Sequence, residues 1–209
     1  ELYSENFWKS KFPKILIKSK KNLDLIKSNY QNDEFQISNY FDEEKWAKYF
    51  ALSDVLKMFH GTVTKSVKLY YNPVSGLFEP IAFDGHYQSG YQNFSFIDFI
   101  ENPEIKCGYA CNHKNWYSLF FDKKNISFLE KYISYMDLYT SDKYQQKILD
   151  YSKTELNEIN NFFYSEYQGS DRIFFKGMLP YYFDISTVKR RSDILRQKIF
   201  KNKQKKNTT

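Results

Sequence analysis

The sequence predicts an α+β fold, predominantly α-helical, with one β-hairpin set into its front half. Three observations carry that reading. Apolar residues recur at helical spacing from Trp46 to Phe59, and again from Phe128 to Met136 and from Tyr144 to Phe163. Between the first and second of these segments, two β-rich runs at 67–71 and 77–83 flank the turn sequence NPVSG. No apolar run reaches the length of a membrane span, because Lys, Asp or Asn interrupts each one within a few residues. The 209 residues are enough for one domain with a substantial core, and no repeat or linker divides residues 1–209.

Taken in order, residues 1–27 mix aromatic and basic side chains, and FPKILIKSK reads as a short strand or helix. Residues 28–40 are polar and read as loop. Asp42 is a good N-cap, with Glu43 and Glu44 in the first turn, where the helix dipole favours them. Trp46, Ala47, Phe50, Ala51, Val55, Met58 and Phe59 then mark one buried helix face, and Gly61 is expected to stop that helix. In the return strand of the hairpin, Pro80 predicts an edge position or a bulge. Residues 85–93 are rich in Gly and polar side chains and suit a binding loop. A short helix follows at 94–101, then amphipathic helices at 127–139 and 142–167. After a loop through QGSDR and FFKGMLPYYF, Asp184 or Ser186 caps a last basic helix, with Ile194, Leu195 and Ile199 on its inner face.

The net charge of +6 is unevenly placed: residues 189–206 hold nine basic side chains and one acid, Asp193, leaving −2 for the remainder. A basic tail of this kind attracts phosphate-rich partners or anionic lipid, but cations are also favoured at any helix C-terminus. The tail therefore does not make the chain a nucleic-acid binder. The 20% aromatic content is shared with abundant Lys, Asn and Ile, so it carries no functional weight by itself. Cys107 and Cys111, with His113, lack the tight pairing of a four-ligand structural zinc site, and only His60 and His86 remain as further histidines. A disulfide and two free thiols both remain open, and so does the compartment. The chain begins at Glu1 without Met or a signal-like apolar stretch, so an upstream segment is expected to be missing.

No phosphate-cradling Gly-rich motif and no defensible Ser-His-Asp ordering stands out. The hairpin nevertheless forces two loops together, one carrying His60 and Ser66 and the other carrying Asp84 and His86, because both lie at the same end of its strands. Phosphoryl transfer uses such a layout: one group orients the attacking hydroxyl and carboxylates hold the metal.

The pieces FALSDVLKMFH, VKLYYNPVSG and LFEPIAFDG, in this order and spacing, resemble the CotH kinases, atypical protein kinases named after a spore-coat protein. WYSLFFDKKNISFLEKYISYM, the helix ending FYSEY and the closing VKRRSDILRQKIF also resemble the end of such domains. The likeness covers roughly residues 36–200, leaving 201–209 as a basic tail, and implies a kinase-like C-terminal lobe without its nucleotide-covering part. It implies ATP and Mg2+ as cofactors, a protein hydroxyl as acceptor, and Asp84 as the metal ligand. His60 falls near the acceptor as a candidate base. Ser66 and His86 fall where the family keeps further nucleotide and metal contacts. His86 replaces an acid and is a poor Mg2+ ligand, since hard cations prefer oxygen. These departures open an alternative: a catalytically inactive kinase-like scaffold that serves as a protein-binding or adhesion module. Asp84 has a plainer reading as a turn cap, His60 as a helix-end cation, Ser66 as structural, and Asp54 as a solvated or paired charge.

Overall fold

A computed structural model describes residues 4–30, 32, 34–85, 94–102, 114–166 and 185–206. His86, Cys107, Cys111, His113, Asp184, most of the 85–93 loop and the FFKGMLPYYF segment lie outside the described residues. The fold is predominantly helical, with one two-stranded antiparallel sheet among the described residues. Helices α1 (Glu5–Lys11), α2 (Pro13–Asn29) and α3 (Glu43–Val55) precede strands β1 (Lys68–Tyr71) and β2 (Phe78–Ile81). Helices α4 (Ile97–Glu101), α5 (Lys114–Phe121), α6 (Ile126–Thr140), α7 (Asp142–Glu166) and α8 (Ile185–Lys206) follow.

Of the strand and helix readings open for FPKILIKSK, the helix is adopted; Pro13 stands at its first turn, where a missing N–H costs nothing. Asp42 caps α3 as expected, accepting the Lys45 N–H at 3.1 Å. The expected end of α3 needs correction. The helix stops at Val55, and Lys57 takes the left-handed backbone (φ 55°), a conformation usually left to glycine. Gly61 instead sits inside a separate 3-10 turn, Phe59–Thr62, so His60 does not end the main helix.

The core is aromatic. Trp46 and Phe50 of α3 meet Phe120, Phe121 and Phe128 of α5 and α6, with Phe96 and Tyr117 closing the group; all seven are buried. Most of these ring pairs are tilted or edge-on, the arrangement their quadrupoles favour. The Trp46 indole N–H donates to Phe78 O at 2.9 Å, which ties the hairpin to α3. Strand pairing runs Lys68↔Ile81 to Tyr71↔Phe78, and Gly76 supplies the positive φ (75°) that the turn requires. Glu79 turns inward, held by Lys45 Nζ and Asn72 Nδ2, each at 2.7 Å.

Helix α8 is docked by a buried ion pair that the sequence leaves open. Asp54, with no exposed surface, accepts from Arg191 on α8, from the Ser95 hydroxyl (2.7 Å), the Phe96 N–H (2.9 Å) and the Tyr132 hydroxyl (2.6 Å). Arg191 also donates to the Asp54 and Phe94 carbonyls. Of the two options for Asp54, solvated or paired, pairing is what the fold adopts. Burial, then the Asp54 charge, pushes the Tyr132 hydroxyl well above its ordinary range. Leu195 and Ile199 face inward as expected, with Ile194 half-buried. The α7 stripe behaves otherwise: Ile148, Tyr151 and Ile159 are exposed.

Candidate functional site

Three of the four residues singled out in the sequence come together. His60 Nδ1 lies 2.8 Å from Asp84 Oδ2. The Ser66 hydroxyl donates to the same carboxylate oxygen at 3.2 Å and lies 3.3 Å from His60 Nδ1. Ser66 is buried, whereas the side chains of His60 and Asp84 are 18% and 38% exposed, so solvent reaches the pair from one side. The fourth residue, His86, lies outside the described residues.

The loop bearing His60 is rigidly supported. The Tyr49 hydroxyl, pushed up to about 12 by burial, donates to Gly61 O at 2.8 Å. The Trp116 indole N–H donates to Thr62 O at 2.9 Å, and the Thr62 hydroxyl donates to Phe59 O at 2.7 Å. Val63 N–H donates to His60 O, and Val63 O then accepts the N–H groups of Ser66 and Val67, so two successive turns lead from His60 to Ser66. Across the site, Asp84 leaves the hairpin with a left-handed backbone (φ 52°) that aspartate tolerates better than most residues. A Cβ added at Gly61 would lie 2.5 Å from Phe83 O, so only glycine lets the two loops approach this closely. Tyr49, Gly61 and Trp116 were not singled out in the sequence. Gly61 was legible as a glycine but was expected to act as a helix stop.

The shared nitrogen limits the chemistry. Ser66 and Asp84 both approach Nδ1, whereas a hydrolytic triad places its nucleophile on Nε2 and its carboxylate on Nδ1. Ser66 is therefore not a nucleophile activated by His60. The carboxylate oxygen facing Nδ1 favours the tautomer with the proton on that nitrogen, which puts the lone pair on Nε2.

Comparison with protein families, with curated proteins and with solved structures yields no match. The Mg2+ implied for Asp84 must therefore be judged on the donors themselves. Among the described residues, no three His, Cys, Asp or Glu side chains gather as a metal site. Among the described residues the site offers one carboxylate, one imidazole and one hydroxyl, with Oδ2 in contact with the other two. Such a donor set does not fit a hard octahedral cation.

Proposed function

We propose that this face activates a hydroxyl by removing its proton, as the acceptor side of CotH-like phosphoryl transfer from ATP to a protein. The observation that carries the reading is the 2.8 Å contact between His60 Nδ1 and Asp84 Oδ2. Asp84 orients the ring and stabilises the imidazolium, while Ser66 fixes the carboxylate. As the acceptor oxygen attacks the γ-phosphoryl group, its proton passes to His60 Nε2 and ADP leaves. The order of helix, loop and hairpin, which the CotH resemblance implies for a kinase-like lobe, supports the assignment. ATP enters as the phosphoryl donor by that resemblance, and neither it nor Mg2+ is assigned to a described residue.

A second reading keeps the kinase-like scaffold as a protein-binding module without catalysis. The donor set around Asp84, which does not fit Mg2+, is what favours it. The test is calorimetric titration with ATP and Mg2+, followed by transfer of labelled γ-phosphoryl to the chain itself or to casein. The first reading expects transfer in the native chain and a loss of roughly 10²–10⁴-fold in His60→Ala. Transfer unchanged in His60→Ala overturns the base assignment. Neither heat nor transfer in the native chain selects the scaffold.

A further inference from the structure

The −2 summed outside the C-terminal helix conceals a second basic region. Helices α1 and α2 carry seven lysines against Glu5 and Asp24, a local +5, and all seven lysines are exposed. Helix α1 buries none of its residues. Helix α2 turns Leu16, Ser19 and Ile26 to the core, while Lys14, Ile17, Lys18, Lys21 and Leu25 follow one another at helical spacing on the opposite face. Ile17 is 66% exposed. At the junction of α1 and α2, Phe7, Trp8 and Phe12 form a ring cluster with centroids 5.6–6.2 Å apart, and Phe7 and Phe12 are about half exposed.

We infer that the α1–α2 face docks on an anionic membrane surface, with the lysines meeting lipid headgroups and Phe7, Phe12 and Ile17 entering the acyl boundary. The argument is charge complementarity combined with exposed apolar bulk. Exposed aromatic and aliphatic side chains set among lysines are the combination that an interfacial helix uses. Nucleic acid fits less well. The three rings pack against one another at angles of 47–83° rather than as parallel platforms for bases, and aliphatic side chains have no use at a phosphate backbone. None of the described helices is long and apolar enough to cross a membrane, so contact here would lie in the interface plane.

The test is co-sedimentation of the full chain with phosphatidylcholine vesicles with and without about one third phosphatidylserine. Binding is expected with phosphatidylserine vesicles only, weakening as salt is raised. It should fall roughly tenfold or more in Lys14→Glu/Lys21→Glu and in Phe7→Ser/Phe12→Ser, all at exposed positions, with circular dichroism unchanged. It should survive Lys201→Gln/Lys203→Gln/Lys205→Gln/Lys206→Gln, which neutralises the tail. No vesicle binding by the native chain overturns the proposal. So does loss only in the tail variant, equal binding to vesicles without phosphatidylserine, or preference for a single-stranded oligonucleotide. Self-association that Phe7→Ser/Phe12→Ser abolishes would assign the face to a second copy of the chain and would also overturn it.

Discussion

Asp54 and Asp84 are held by the same kinds of donor, a cationic or basic nitrogen and a serine hydroxyl, yet they serve opposite ends. Asp54 is wholly buried, and its partner Arg191 never gives up its proton, so four donors lock one geometry and join α3 to α8. Asp84 stands at a half-open rim, and its partner is an imidazole nitrogen 2.8 Å away rather than a guanidinium. Burial with a fixed charge produces a structural pin; partial exposure with a titratable partner leaves room for chemistry. The distinction can be broken by mutation, since each class predicts a different split between stability and activity.

The largest effect belongs to the pin. Asp54→Asn leaves the Arg191 guanidinium buried without its counter-charge and should cost about 3–5 kcal/mol, read as a lower urea midpoint. Adding Arg191→Met to Asp54→Asn should cost less than Asp54→Asn alone, because no charge is stranded and the carboxamide oxygen can still accept from the Ser95, Phe96 and Tyr132 donors. A cost below about 1 kcal/mol for Asp54→Asn would mean that the pair does not hold α8 in place.

Next comes the contact that sets the distance between the two loops. Gly61→Ala drives a methyl group into the Phe83 carbonyl and should cost about 1–3 kcal/mol, while also moving His60 away from Asp84. Gly85→Ala is the control. There the added methyl meets the tip of Met58, which can swing aside, so both stability and phosphoryl transfer should change less. Equal effects in the two variants would remove the claim that backbone approach at Gly61 builds the site.

The sequence carried the local half of this molecule. The Asp42 cap, the α3 periodicity and the hairpin were legible because capping, spacing and turn chemistry act within a few residues. The meeting of His60, Ser66 and Asp84 followed from the hairpin alone. The pin was not legible. Asp54 and Arg191 are 137 residues apart, and Arg191 is hidden in a run of basic residues that reads as a solvated helix. The helix stop was missed because Lys57 accepts a backbone conformation that its side chain does not advertise. Aromatic richness, set aside as compositional, proved to be the substance of the core. In α7 the periodicity marks an apolar stripe of which Tyr144, Leu149 and Leu156 are half-buried while Ile148, Tyr151 and Ile159 are exposed.

Asp84→Asn is the smallest expected change in stability and the sharpest test of the comparison. Asparagine accepts the left-handed backbone at φ 52° as readily as aspartate, so the substitution adds no strain. The contact that changes is partly solvent-exposed, which limits the effect to within about 0.5 kcal/mol. The carboxamide oxygen can still accept from Ser66. Turned toward His60, however, its NH2 would favour the tautomer with the proton on Nε2, and the base would be lost. Phosphoryl transfer should therefore collapse while the urea midpoint barely moves. Asp84→Ala would blur that reading, since alanine at this φ adds about 1–2 kcal/mol of backbone strain. A fall of several kcal/mol in Asp84→Asn would place Asp84 with Asp54, as a second pin rather than a reacting group.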